Sequence, residues 1–115
     1  QLKGPAPAFA EQAGRPYNAD AFGPQLPCVC LRIPTGAGKT VLAAHAVPLL
    51  AREWYQVDAP VAVRLVPSDA IRQQTLKVLQ TPDHPYRTAL TEAYGQQLRV
   101  CTLDEEAQRL DAVLA

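Results

Sequence analysis

The sequence predicts a three-layer α/β fold, in which helices flank a parallel sheet. Two observations predict it. Short apolar runs of strand length alternate along the chain with longer segments of helical periodicity, and a glycine-rich loop lies between the first run and the first long helix. Because the helices connect successive strands, this order implies that the strands are parallel. In such sheets ligands bind beyond the carboxyl ends of the strands, which is where the glycine-rich loop falls.

The first 27 residues are rich in proline and glycine and are predicted to form a leader. They include five prolines and three glycines, and both residue types interrupt helices and strands. We therefore expect neither element in this leader. Its aromatic side chains, Phe9, Tyr17 and Phe22, either pack on the domain or stack on an adenine base, and we favour packing.

The apolar run at residues 28–33 is predicted to be a short buried strand. Pro34 ends it, because proline cannot donate a hydrogen bond to a neighbouring strand. Cys28 and Cys30 would point to the same face of the sheet, so we interpret them as small buried residues. With Cys101 the chain has three cysteines, an odd number without a second close pair, which indicates neither a zinc site nor a disulfide.

The later elements continue the alternation of helix and strand. The helix after the glycine loop is expected to run from Lys39 to about Trp54, and Pro48 must kink or split it. Capping residues, β-branched runs and proline or glycine breakers set the other boundaries. These elements are a strand at 61–66 ended by Pro67, a helix at 69–79 capped by Ser68, a shorter helix at 86–94 ended by Gly95, a strand at 97–103, and a last helix capped by Asp104.

The composition is that of a globular domain with no global preference for polyanions. Lys and Arg number eleven, and Asp and Glu also number eleven, so any nucleic-acid contact must be local. No apolar run approaches the roughly 20 residues that a membrane span needs, and the N-terminus lacks the layout of a signal peptide. We expect a cytoplasmic protein with one domain at most in these 115 residues.

The loop at residues 33–40 has the composition of a phosphate cradle. Its small residues allow the backbone to fold around a phosphate with N–H groups pointing inward, and the following helix directs its positive end at the same place. We predict that Lys39 binds the β- and γ-phosphates and that Thr40 ligates Mg²⁺, which makes these two the catalytic candidates. The predicted nucleotide-binding residues are Thr35, Gly36, Ala37, Gly38, Lys39 and Thr40. A phosphate cradle alone does not distinguish ATP from GTP.

One departure from the general phosphate-loop pattern points to a particular family. The pattern has a glycine five positions before Gly38, where this chain has Ile33. The run Pro34-Thr35-Gly36-Ala37-Gly38-Lys39-Thr40 resembles motif I of the superfamily 2 helicases of DEAD/DEAH type. A second block fits the same family at Pro67, Ser68, Ile71 and Gln74, whereas Asp69 and Ala70 replace the Arg and Glu of the DEAD-box form. The chain looks most like the Res subunits of type III restriction enzymes.

The resemblance implies a P-loop NTPase fold of RecA-like type, with residues 28–115 as the N-terminal part of the ATP-binding domain. It implies a DNA helicase or translocase that hydrolyses ATP with Mg²⁺. The same resemblance is compatible with a restriction endonuclease activity in the whole protein and with a partner subunit from a restriction-modification system. Pro67, Ser68 and Arg72 would contact the backbone of a DNA strand, although an alternative stays open in which Ser68 only caps its helix and Arg72 lies on a solvated face.

Hydrolysis also needs a carboxylate that holds Mg²⁺ and a group that orients water. Asp104 and Glu105 follow an apolar run, as such carboxylates would, but we favour helix capping for them. The remaining catalytic groups are then expected beyond Ala115, and residues 1–115 alone are expected to be inactive. The alternatives are a P-loop protein that is not a motor, such as a kinase-like module, and a fragment whose loop holds no nucleotide.

Overall fold

The computed structural model describes residues 4–18, 23 and 26–115. The chain divides into two compact units, Gln1–Pro34 and Thr35–Ala115. The regular structure of the described residues is helical in both units. Across these residues no helix combines the length and the apolar character that crossing a bilayer requires.

The first unit contains one helix, α1, which spans Pro5–Ala13. This corrects the expectation that the proline-rich leader holds no helix. Pro5 lies at the first position of α1, where the missing N–H would have no partner within the helix in any case. Gly14 ends the helix in the left-handed conformation, with φ 65°, and its N–H donates to the Ala10 carbonyl. Proline and glycine therefore delimit this helix instead of preventing it.

Tyr17 links α1 to the segment at residues 26–28 of the first unit. Its ring lies 5.5 Å from the ring of Phe9. Its hydroxyl donates to the Leu26 carbonyl at 3.1 Å and accepts from the backbone N–H of Cys28 at 2.7 Å. Phe9 and Tyr17 thus pack against each other, while Phe22 lies outside the described residues.

The second unit contains four helices, close to the positions that the sequence predicts. They are α2 at Lys39–Leu50, α3 at Asp69–Gln80, α4 at Pro85–Tyr94 and α5 at Leu103–Leu114. Pro48 lies inside α2, and a π-helical turn, Ala51–Tyr55, follows directly. Proline and π-helical turns are the usual causes of irregularity in a helix. The expected interruption therefore takes the form of a change from α-helical to π-helical geometry.

The core of the second unit lies where α4 packs against both α2 and α3. The buried residues at its centre are Ala44, Ala89 and Leu90, and half-buried side chains of Val47, Leu79, Tyr94 and Leu98 pack around them. Arg87 on α4 also donates to the Leu79 carbonyl of α3 at 3.1 Å. Alanine at two of the three central positions gives a thin core, because each alanine removes little apolar area from water.

None of the three predicted strands forms among the described residues, so the three-layer α/β fold with a parallel sheet is wrong for this structure. Residues 61–66 show why. Val61 is 94% exposed and Leu65 is 88% exposed, so neither side chain is buried against a neighbour. A strand is stable only when an adjacent strand accepts and donates its backbone hydrogen bonds. The apolar alternation indicates that a segment suits a sheet, but it does not supply the adjacent strand.

The other two predicted strands fail in the same way. Residues 28–33 and most of 97–103 carry no regular structure. Cys30 is exposed and Cys28 is half-buried, so the prediction that both are buried on one face of a sheet is also wrong for Cys30. The two segments lie in different units of the chain.

Helix α5 begins one residue earlier than Asp104, which the sequence predicted as its cap. The N-cap is Thr102, whose hydroxyl accepts from the N–H of Glu105 at 3.2 Å, while the Glu105 carboxylate accepts from the N–H of Thr102 at 2.8 Å. This reciprocal pair is a capping box. Asp104 instead lies in the first turn, where a negative charge is favourable near the positive end of the helix.

Glu106 on α5 holds two arginines. Its carboxylate accepts from Arg109 Nε at 3.0 Å and forms an ion pair with Arg99 at 3.2 Å. The hydrogen bond from Arg109 is the largest cause of a lowered pKa for Glu106, and the charges of Arg109 and Arg99 add to it against the opposing effect of desolvation. A lowered pKa means that the interaction stabilises the fold above the unfolded-state pKa and is lost as the pH falls through the folded-state pKa.

We expect Leu90→Ala to destabilise the second unit by about 2–3 kcal/mol, because it leaves a cavity beside α2 and α3 in a core that has little else to fill it. Urea unfolding followed by circular dichroism measures the change. Leu65→Ala is the control, since Leu65 is 88% exposed. Equal destabilisation by the two substitutions would contradict the proposed position of the core.

We expect Arg109→Gln to raise the pKa of Glu106 toward its ordinary value of 4.5, because it removes the largest cause of the lowering. Arg99→Gln should raise it less, since Arg99 contributes only through its charge. An NMR titration of the Glu106 carboxyl carbon measures both changes. A larger rise with Arg99→Gln would show that Arg109 is not the principal partner.

Candidate functional site

The glycine loop is a turn at residues 35–38 that leads directly into α2. Gly36 and Gly38 both have φ 83°, in the left-handed region that residues with a side chain rarely adopt. Gly38 is the N-cap of α2, and its carbonyl accepts from the N–H of Leu42 at 2.9 Å. The requirement for glycine at these two positions therefore comes from the backbone conformation.

The space around the two glycines is open. A Cβ atom built on Gly36 would have no other atom within 4 Å, and one built on Gly38 would meet only Val41 Cγ1 at 3.8 Å, which is ordinary van der Waals contact. Open space beside a left-handed turn leaves room for a bound group to approach the backbone. The phosphate contact at this loop stays a prediction, which the open space does not obstruct.

The start of α2 is electrostatically suited to an anion. No acidic residue lies in its first turn, and the first two helical residues are Lys39 and Thr40. The N–H groups of a first helical turn have no partner within the helix, and the helix dipole places partial positive charge there. Lys39 is exposed and Thr40 is half-buried. Backbone N–H groups and an ammonium group can donate hydrogen bonds to a phosphate, and a hydroxyl oxygen can be a ligand for Mg²⁺.

The predicted nucleotide-binding residues, from Thr35 to Thr40, form this loop and the start of α2, whereas both candidate carboxylates lie in the first turn of α5. Glu105 is one half of the capping box of α5, as the capping interpretation predicted. Asp104 lies in the same first turn. Within the described part of the chain, no group of three or more His, Cys, Asp or Glu side chains is placed to hold a metal ion.

The second sequence block lies at the N-terminus of α3. Ser68 is the N-cap of this helix, in an extended conformation, and its Oγ accepts from the N–H of Ile71 at 3.4 Å. Pro67 and Arg72 are exposed. The capping role that the sequence left open for Ser68 is therefore present in the structure. The helices that carry the two blocks, α2 and α3, each contact α4.

Asp69 is the residue of this block whose part the sequence analysis missed. Its carboxylate accepts from Arg72 Nε at 2.9 Å and forms an ion pair with the same guanidinium, and it accepts from Gln73 Nε2 at 2.8 Å. The spacings of three and four residues place these side chains on one face of a helix. The spacing of Asp69, Arg72 and Gln73 is visible in the sequence and would have predicted these contacts.

A groove between α2 and α4 contains none of the predicted site residues. It has a volume of about 380 Å³ and lies between α2 with its π-helical turn and α4. Its lining residues are His45, Pro48, Leu49, Arg52, Ala89, Glu92 and Ala93.

Comparison with known proteins gives one family. Neither the curated proteins nor the solved structures include a significant match to this chain. A family model described as "Type III restriction enzyme, res subunit" matches residues 18–110, which include both the glycine loop and the block at the start of α3. The match covers most of the chain. The chain therefore belongs to the family of type III restriction enzyme res subunits, a family of superfamily 2 helicase type.

Proposed function

We propose that this chain binds ATP with Mg²⁺ at residues 35–40 and is the ATP-binding part of an ATP-dependent DNA helicase or translocase. Membership of the family supports a helicase-like ATP-binding module. The observation that carries the specific site is the left-handed turn at Gly36 and Gly38, which opens onto a helix start that has no acidic residue in its first turn.

Each residue of the loop has a distinct part in the proposed binding. The N–H groups of the first turn of α2 donate to phosphate oxygens, and Gly36 and Gly38 keep the approach to them open. Lys39 neutralises charge on the β- and γ-phosphates, and the Thr40 hydroxyl is a ligand for Mg²⁺. Thr40 would hold Mg²⁺ at this place, and the bound ion would offset the charge that develops during phosphoryl transfer.

Binding and turnover make different demands on the chain. Turnover needs a carboxylate near Mg²⁺ and a group that orients the attacking water. Glu105, one of the two carboxylates that the sequence offers for this, is held in the capping box of α5. We therefore propose that residues 1–115 bind nucleotide without measurable hydrolysis, and that the whole protein hydrolyses ATP when it acts on DNA.

The block at 67–72 is the proposed contact with one DNA strand. Ser68 and the backbone N–H groups behind it are donors suited to a phosphate, and Arg72 supplies positive charge one turn into α3. Contacts of this kind bind the backbone and do not read the bases. The proposal therefore includes no sequence specificity, and binding of this block to DNA is expected to weaken as salt increases.

We expect Lys39→Ala to weaken ATP binding by the 115-residue chain at least about tenfold, because it removes a charged donor from the phosphates. Titration of a fluorescent ATP analogue in the presence of Mg²⁺ measures the affinity. Lys77→Ala is the matched control, since Lys77 lies in the last turn of α3 and its removal changes the net charge equally. Equal losses with the two variants would refute the role of Lys39.

We expect Thr40→Val to reduce the Mg²⁺ dependence of ATP binding, because it removes the proposed metal ligand and preserves the side-chain shape. The affinity is measured with Mg²⁺ and again after chelation with EDTA. Wild type should weaken on chelation much more than the variant. Thr91→Val, on the exposed face of α4, is the control and should behave as wild type. An undiminished Mg²⁺ effect in Thr40→Val would exclude Thr40 as the ligand.

A further inference from the structure

The carboxylate of Asp69 pairs with two side chains of α3, those of Arg72 and Gln73. Arg72 directs Nε to one carboxylate oxygen at 2.9 Å and forms an ion pair with that oxygen through Nη2, and Gln73 donates to the other oxygen at 2.8 Å. The guanidinium that the proposed DNA contact needs is therefore already neutralised by a neighbour on the same helix.

The position of Asp69 matters as much as its partners. It is the first residue of α3, so its negative charge lies at the positive end of the helix, where a backbone phosphate of DNA would also be most favourable. A phosphate that approaches this end meets a like charge, and it has to share the Arg72 guanidinium with the carboxylate. Asp69 and a phosphate thus compete for the same donors.

The competition is weak enough to be reversed. The side chains of Arg72 and Asp69 are 49% and 61% exposed. Ion pairs this exposed to solvent change an equilibrium by about twofold to fivefold, and salt screens them. A contact of that strength tunes affinity and does not block it.

We propose that Asp69 is an intramolecular competitor for DNA phosphate, which restrains Arg72 and thereby sets the affinity and the salt dependence of the block at 67–72. The inference rests on the proposed contact between this block and DNA. It adds to that contact a positioning residue that acts through Arg72 and that opposes binding.

Helix α5 supplies a matched comparison. Glu106 accepts from Arg109 Nε at 3.0 Å with the same spacing of three residues, and α5 has no part in the proposed DNA contact. Glu106→Gln and Asp69→Asn each remove one negative charge, and they free Arg109 with Arg99 in the first case and Arg72 in the second. A difference between them therefore reports the location of the charge and not the net charge of the protein.

The test is fluorescence anisotropy of a labelled single-stranded oligothymidine with the 115-residue chain over a series of salt concentrations. Asp69→Asn should tighten binding about twofold to fivefold at low salt. It should also steepen the plot of log affinity against log salt by about 0.7, the value for one more phosphate contact on a single strand. Circular dichroism confirms that each variant keeps its helices.

Arg72→Gln completes a double-mutant cycle with Asp69→Asn. It should lower affinity less when Asp69 is present, because the carboxylate then restrains Arg72, than when Asn replaces Asp69, where it should abolish the gain. Such non-additivity is the signature of two residues that act on each other. A purely structural role for Asp69 would leave the salt slope unchanged.

Three results would overturn the inference. The first is an equal gain in affinity and slope with Glu106→Gln, which would reduce the effect to net charge. The second is an equal loss with Arg72→Gln in both backgrounds, which would show that Asp69 does not restrain Arg72. The third is no binding of the oligonucleotide by wild type or any variant, which would also refute the proposed DNA contact, whereas the first two leave that contact standing.

Discussion

The packing of α4 against two neighbours is the interaction on which the second unit depends. Leu90 and Ala89 lie between α2 and α3, and the small side chain of Ala89 allows a close approach of helix backbones. The glycine loop ends where α2 begins, and the second block spans the N-cap and the first turn of α3. Both candidate sites therefore lie at the N-termini of helices whose positions α4 sets.

One helix thus supports both candidate sites, since α2 and α3 each pack against α4. Ala44 of α2 and Ala89 of α4 lie at the centre of this core, and Leu79 of α3 packs at its edge. Few large side chains interlock there, so each of them matters to the packing of all three helices.

Local signals in the sequence predict the four helices of the second unit, apart from the N-cap of α5, but they are insufficient for the strands. Ser68 and Gly95 delimit α3 and α4 as predicted, because a capping hydrogen bond and a positive φ depend on only a few adjacent residues. A strand depends on a distant partner, which the alternation in residues 61–66 cannot specify. The sequence does not predict α1 in the leader, because proline usually interrupts a helix. At the first helical position, where Pro5 lies, it is favourable. At the candidate site, residue type alone predicts the glycines, whereas the pairing of Arg72 with Asp69 depends on their helical spacing.

The apolar run at residues 61–66 also affects how the chain behaves in concentrated solution. Val61 and Leu65 are almost fully exposed, and a short stretch of this kind with unpaired backbone groups is a template for pairing with other molecules. Pro60 and Pro67 flank the run and Arg64 interrupts it. Neither proline can extend an intermolecular ladder, and the arginines of stacked chains would repel one another. These three residues act as gatekeepers against aggregation, so the hazard is confined to a segment only six residues long.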